Sequence, residues 1–283
     1  WLHGCCMATH SRAVDNEEAF PSYWTNGGCR GDFAVQVLVS EEVRRHLQKL
    51  LDNTFTFKAT RDRRGLMPTH LELVAARRCE GSRLWRRYAE RRTRLAGARG
   101  ARCTPLRRMA GSGEVKTAQG LDRATRKSMN SKVNEVFLFH GTSPADASAI
   151  ARTGFDLAHA GENDMFGRGA YFCECCSKAD EYAKADEDGQ DPGLFALLLC
   201  RVACGEMYYA TEPSASLVDA AIASGRFDSI LGDREVAKGT YREFVVFDVA
   251  QIYPEYILTY KRRYVGKPAQ ESTLQQLVRS FSK

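Results

Sequence analysis

The sequence lacks any long apolar run. Its longest uninterrupted stretch, Leu194 to Cys200, is seven residues and stops at Arg201, against the ~20 a helix needs to cross a bilayer. A transmembrane helix is therefore excluded. No internal repeat is visible. Strand and helix signals do not alternate regularly, which argues against a Rossmann-type domain. Histidine is scarce, at six residues. The one tight group of metal-binding types, His3, Cys5, Cys6 and His10, has no second half at matching spacing, so no metal is expected.

What is present reads as a folded chain. Hydrophobic residues make up 43% and charged residues 27% of 283 positions, enough for a substantial core and unlike a disordered segment. That length fits two average domains or one large α+β domain. The ten cysteines are crowded and irregular, as in Cys173, Cys175 and Cys176. In a chain this long, that pattern reads as reduced thiols and an intracellular location, nuclear or cytoplasmic. The chain starts at Trp1 and not at Met, which fits a fragment of a longer protein. Any targeting signal upstream lies beyond its reach.

Charge is uneven. Residues 1–131 carry 25 basic and 13 acidic residues, residues 132–260 carry 10 and 21, and residues 261–283 carry six and one. The densest stretch, Arg77 to Arg108, holds twelve arginines against Glu80 and Glu90. Such a stretch fits nucleic acid or another anionic polymer, and equally a solvated helix face. No aromatic pattern accompanies the arginines, which favours the solvated face.

Local patterns give the elements. Phe33 to Val39 alternates as a strand, and Ser40 caps a helix with Glu41 and Glu42 in its first turn. Leu71 to Val74 reads as a strand, and Ser82 as the cap of a helix carrying Leu84, Trp85, Tyr88 and Leu95. From Gly97 to Asn130 the chain is rich in Gly, Ser, Thr and Arg, as expected of a mobile basic insertion. Val136 to Phe139 is a short strand ending at His140. Ser143, Pro144 and Asp146 open a helix that Gly154 closes. Gly167 and Gly169 form a turn into a strand at Ala170 to Phe172, and Ser177 with Asp180 spells a capping box. Leu194 to Ala203, Phe244 to Asp248 and Tyr256 to Tyr260 complete the strands. The class expected is α+β.

Three segments stand out together: Leu138-Phe139-His140-Gly141-Thr142; Met165-Phe166-Gly167-Arg168-Gly169-Ala170-Tyr171-Phe172 followed by Ser177-Lys178; and Tyr241-Arg242-Glu243-Phe244-Val245-Val246-Phe247-Asp248 followed by Tyr253-Pro254-Glu255-Tyr256. With these residues in this order, the chain resembles the catalytic domain of the poly(ADP-ribose) polymerase family. Its last strands look like the tankyrase branch. The resemblance runs from about Asn134 to Tyr260 and is weaker over Phe33 to Leu95. It implies an ADP-ribosyltransferase fold of two packed, mostly antiparallel sheets with flanking helices. It also implies a catalytic domain over 33–265, with an arm at 1–32, the basic insertion at about 97–130 and a tail at 266–283.

The resemblance further implies a His-Tyr-Glu triad of His140, Tyr171 and Glu243, and NAD as the ADP-ribose donor, transferred to protein acceptors. The residue types suit that chemistry. Breaking the nicotinamide–ribose bond develops an oxocarbenium-like sugar, and a carboxylate such as Glu243 can orient the ribose hydroxyl and stabilise the charge. An aromatic ring such as Tyr171 suits the flat nicotinamide. By resemblance Tyr182 covers its other face, His140 meets the adenosine ribose, and Gly141 offers its backbone to the carboxamide. Thr142 and Gly169 flank the same site. The position where the family usually carries a carboxamide-binding serine is Ala179, which points to weaker NAD binding. Met165 and Lys178 match positions near the acceptor, and Asp156 to Phe166 matches the loop over the donor.

Glu243 keeps polymer elongation within reach, because strictly mono-transferring members generally lack that glutamate. Two other functions compete. One is a catalytically weak NAD- or ADP-ribose-binding scaffold with a basic nucleic-acid-binding segment. The other, ranked below it, is tRNA 2′-phosphotransferase chemistry, which needs an Arg/His constellation for phosphate.

Overall fold

The apolar run that ends at Arg201 becomes the strand β5 (Phe195–Ala203), and both of its faces are covered. Leu197 and Leu199 face one side, packing with Leu47, Leu50 and Leu51 of helix α1 (Glu41–Thr54). Leu198, Cys200 and Val202 face the other side, packing with Ala147 and Ala151 of helix α5 (Pro144–Thr153). A strand buried on both faces has no polar alternation to show, which is why the sequence reads there as a continuous run.

The computed structural model describes residues 20–99, 103–109, 113–121, 123–161, 164–186 and 193–264. Besides β5, its strands are β1 (Ala34–Leu38), β2 (His70–Gly81), β3 (Glu135–Thr142), β4 (Ala170–Cys173), β6 (Met207–Ala210), β7 (Ser229–Asp233), β8 (Arg242–Val246) and β9 (Ile252–Arg263). The remaining helices are α2 (Ser82–Arg99), α3 (Lys116–Gly120), α4 (Arg123–Ser128), α6 (Cys176–Ala179), α7 (Ala215–Ala223) and α8 (Arg234–Lys238). Strand order is β1-β2-β9-β5-β3-β4-β8-β7-β6, and every pairing is antiparallel except β6 with β7. The fold is α+β. The two expected sheets are joined edge to edge: β3 and β4 share only the pair Phe139↔Cys173, and beyond it the two halves part.

Several expected signals act as read. Ser40 caps α1 by accepting from the Val43 N–H, and Ser143 caps α5 by accepting from the Asp146 N–H, with Gly154 closing that helix at φ +88°. Others act differently. Ser82 is not a cap: its hydroxyl accepts from the Phe33 N–H (2.9 Å), tying β1 to the start of α2. Ser177 and Asp180 do not form a capping box. Ser177 Oγ accepts from the Thr56 N–H (3.0 Å), and Asp180, fully buried, is held by Arg63, Arg262 and Tyr260. Long-range partners take both side chains, so the local pattern misleads.

The arm expected at 1–32 is packed from Phe20 onward. Trp24 is buried, stacks on Phe20 and Tyr253, and meets Trp85 edge-on. The N–H groups of Thr25 and Asn26 donate to the buried Glu80 (2.8 Å each). The insertion expected at 97–130 is also anchored where it is described, because Leu106, Met109 and Val115 join the main core and Thr117 donates to the Phe137 carbonyl (2.6 Å). Among its described residues Cys103, Leu106, Met109 and Val115 are buried, yet they are few, so composition alone reads as mobile. His3, Cys5, Cys6 and His10, and the expected tail at 266–283, lie outside the described residues. Among the described residues no helix is long and apolar enough to cross a membrane. The described cysteines are free thiols, all buried except Cys29.

Candidate active site

Strand order brings the three expected residues onto consecutive strands: His140 on β3, Tyr171 on β4 and Glu243 on β8. Tyr171 lies opposite Val245 and Cys173 opposite Glu243. Side chains two apart share a face, so Tyr171 and Glu243 lie on one face of the β4–β8 ladder. Alternation turns His140 to the other face, where its ring meets Phe155 and Phe172 edge-on or tilted (centroids 5.0 and 5.6 Å). The imidazole is nonetheless tied to the tyrosine, since its Nδ1 lies 2.9 Å from the Tyr171 carbonyl. The site therefore spans the gap between two parting strand edges, with His140 at one end and Glu243 at the other.

Each group has a defined state. Burial lowers the His140 pKa, only partly opposed by the bond to Tyr171. The neutral ring must carry its proton on Nδ1 to donate to that carbonyl, which leaves Nε2 as an acceptor. The Tyr171 hydroxyl accepts from the Phe166 N–H (2.8 Å) and donates to the Gly167 carbonyl (3.0 Å), fixing the ring across the glycine turn. Gly167 is left-handed there (φ +82°), and a Cβ at Gly169 would stand 2.6 Å from Val245, so the turn requires both glycines. The Tyr171 pKa is raised, by burial first and then by neighbouring charges that include Glu243 and Tyr182.

Glu243 is 5% exposed, and its Oε2 has no hydrogen-bond partner. Burial raises its pKa, Lys178 opposes that shift, and Asp62 adds to it. An unpartnered buried carboxylate oxygen is costly to fold around, and a ligand hydroxyl would satisfy it.

Gly141 and Ala179 meet directly. A Cβ on Gly141 would stand 1.8 Å from the Ala179 carbonyl oxygen, so only glycine allows the end of β3 to pass this close to α6. Ala179 is buried at 1% exposure. Thr142 lies at the strand end, 3.5 Å from Asp146. Tyr182 is half-exposed, and its hydroxyl accepts from Lys178 (3.0 Å) and donates to Asp62 (2.8 Å). Lys178 is buried, with Nζ 2.9 Å from Glu181, 2.8 Å from Asp62 and 3.7 Å from Glu243. A cavity of about 300 Å³ lies on this side, lined by Lys178, Glu243, Met165, Arg234, Asp62 and Tyr241 among others, while His140 and Tyr171 do not line it. Among the described residues no group of metal-binding side chains converges.

Sequence reasoning missed Thr60, Asp62, Arg63 and Glu181. Three of them belong to the loop between α1 and β2, more than a hundred residues from the motifs they touch. Their one visible signal is the charge cluster Arg61-Asp62-Arg63-Arg64. Part of the arginine-rich stretch is paired within the chain. Arg78 pairs with Glu80, Arg86 with Asp32, Arg91 with Asp248, Arg92 with Glu135 and Arg94 with Glu90.

The poly(ADP-ribose) polymerase catalytic domain model matches residues 113–262. Human protein mono-ADP-ribosyltransferase PARP12 is 30% identical over 129 residues, covering 45% of this chain and 17% of that protein. Mouse protein mono-ADP-ribosyltransferase PARP11 is 32% identical over 152 residues, covering 46% of this chain and 43% of that protein. Poly [ADP-ribose] polymerase 1 of Xenopus laevis is 28% identical over 163 residues, covering 47% and 16%. The chain thus spans less than half the length of these curated relatives. With more than half of its residues matched, and with the three motif segments carried on adjacent strands, the chain belongs to the poly(ADP-ribose) polymerase catalytic domain family.

Proposed function

We propose that this chain cleaves the nicotinamide–ribose bond of NAD and transfers ADP-ribose to protein acceptors. The observation that carries this reading is the buried Glu243 carboxylate, one oxygen unpartnered, on the same ladder face as the fixed Tyr171 ring. Nicotinamide stacks on Tyr171, with Tyr182 on its other side, and its carboxamide meets the backbone of Gly141. Gly169 and Thr142 border the donor, and the neutral His140 accepts a ribose hydroxyl at Nε2. Glu243 accepts the hydroxyl of the ribose losing nicotinamide, which places negative charge beside the developing oxocarbenium ion. One preorganised partner of this kind is typically worth ~2.7–4 kcal/mol of barrier. Nicotinamide leaves as a neutral base, and the acceptor nucleophile attacks the anomeric carbon from the Lys178 side, where the cavity opens.

Relatives named as mono-ADP-ribosyltransferases support single transfer, and retention of Glu243 supports elongation. Labelled NAD resolves the two as a single band or a ladder. The second reading, a weak donor-binding scaffold, is favoured by Ala179, whose side chain offers no hydroxyl to the carboxamide. Nicotinamide release separates it from the enzyme. The enzyme reading expects release by the wild type to exceed that of Glu243→Gln by about 10²–10³-fold, and equal background release by both would remove it. An anionic-polymer partner rests on the exposed Arg77, Arg83, Arg87, Arg107 and Arg108. Its affinity must fall steeply with salt, and a flat response would leave those arginines as a solvated face. The buried thiols support an intracellular setting.

A further inference from the structure

We infer that Asp62 is a positioning residue for this site: it holds the Lys178 ammonium away from Glu243 and clamps Tyr182. This inference rests on the reading of the cleft as an NAD site. An ammonium has three protons to donate. Lys178 places them within reach of Asp62 Oδ2 (2.8 Å), Glu181 Oε2 (2.9 Å) and the Tyr182 hydroxyl (3.0 Å), with the Thr60 hydroxyl farther off at 3.5 Å. Glu243 stands outside hydrogen-bonding distance at 3.7 Å. The lysine is thus saturated by other partners, and both Glu243 oxygens stay available to a substrate hydroxyl.

The loop that carries Asp62 is fastened for this task. The Lys58 ammonium donates to the Thr240 carbonyl (3.0 Å), and Tyr241 donates to the Lys58 carbonyl (2.6 Å). The Thr60 hydroxyl donates to Glu181 (2.6 Å), and Arg63 pairs with Asp180 and donates to the Ser177 carbonyl (2.7 Å). Asp62 also accepts the Tyr182 O–H at 2.8 Å. One carboxylate therefore sets the lysine and one wall of the nicotinamide site together.

Removing that carboxylate frees one Lys178 N–H, and the nearest unsatisfied acceptor is Glu243. The groups facing Glu243 are Tyr171 and Cys173 from β4, Lys178 from α6, Glu181 and Tyr182 from the turn after it, Arg234 from α8, and Asp62 from the loop. Loss of Asp62 removes negative charge from this set and brings Lys178 closer. Both changes favour ionised Glu243, so its pKa falls.

The test compares wild type, Asp62→Ala, Lys178→Met and the double variant, with Asp62→Glu as the charge-retaining control. It measures nicotinamide release as kcat and KM across pH, with thermal melting confirming the fold. Asp62→Ala is expected to move the acid limb of kcat to lower pH by at least about half a unit. Loss of one hydrogen bond from Tyr182 is expected to raise the KM for NAD about fivefold. In the double variant the acid limb is expected to move less, relative to Lys178→Met, than Asp62→Ala moves it relative to wild type, because only the direct charge of Asp62 on Glu243 is then left to lose. Asp62→Glu is expected to keep the wild-type limb. A folded Asp62→Ala with the wild-type acid limb, or additive shifts in the double variant, would overturn the inference. If the wild type binds NAD without cleaving it, the enzymatic reading fails alone, and the dissociation constant for NAD then decides the role of Asp62. An approximately fivefold weakening in Asp62→Ala supports it, and an unchanged constant overturns it.

Discussion

Replacing Glu243 by Gln should stabilise the fold while lowering nicotinamide release about 10²–10³-fold. Burial raises the Glu243 pKa in the native state even with Lys178 nearby. The ionised form is therefore less favourable in the fold than in the unfolded chain. For a group whose pKa is raised on folding, its stabilising contribution is present below the unfolded value and lost as pH rises through the folded value. At neutral pH Glu243 is thus a net burden, consistent with its unpartnered Oε2. Stranding such an atom costs roughly 1–3 kcal/mol. The amide of Gln also leaves a polar group at the same place, so the expected gain is at the lower end, about 1 kcal/mol. For a chain of this size that corresponds to a melting temperature about 2–4 °C higher. Melting curves of both proteins at pH 7.5 and near pH 4 provide the assay. The gain should be present at the higher pH and vanish at the lower one. A Glu243→Gln protein that melts below the wild type at pH 7.5 would show that the carboxylate is stabilised where it sits, and the reasoning about its poised charge would fail.

Three further outcomes follow from the same geometry. Ala179→Ser restores a hydroxyl beside Gly141 and should lower the KM for NAD about two- to tenfold, the equivalent of one neutral hydrogen bond; an unchanged KM would show that this position does not face the carboxamide. Gly141→Ala drives a Cβ to within 1.8 Å of a backbone oxygen, so melting should show destabilisation beyond the usual ~1–3 kcal/mol of overpacking, with loss of NAD binding. Asp180→Ala leaves Arg63 and Arg262 without their buried carboxylate and should lower stability by roughly 3–5 kcal/mol, measured by denaturant titration; a small loss would mean that the two guanidinium groups find other partners.

Much of this was legible in the sequence because it is written locally. Caps at Ser40 and Ser143, the closing Gly154 and the run of β5 follow from side-chain chemistry within a few residues. His140, Tyr171 and Glu243 were singled out by the family resemblance of their segments, and the fold sets those segments on adjacent strands. What stayed hidden depends on distant partners. β2 runs on from Val74 to Gly81 through Arg77, Arg78 and Glu80, charges that mask a strand until Glu80 is seen buried against Arg78, Thr25 and Asn26. β6 and β7 escaped notice because four- and five-residue strands carry little pattern. The buried Arg201 pairs with Glu255 and Glu135, contacts that no spacing rule anticipates. Asp62 is the functional counterpart, an acid in a charged loop whose role exists only once the fold brings it to Lys178.

The central claim is that the gap between β3 and β4 holds one dinucleotide with its glycosidic bond against Glu243. A crystal structure with a non-hydrolysable NAD analogue tests it most directly. The predicted result places the nicotinamide ring between Tyr171 and Tyr182, with a hydroxyl of its ribose on Glu243 Oε2 and the adenosine ribose on His140 Nε2. A dinucleotide bound elsewhere, or bound with Glu243 still lacking a ligand partner, would contradict the account.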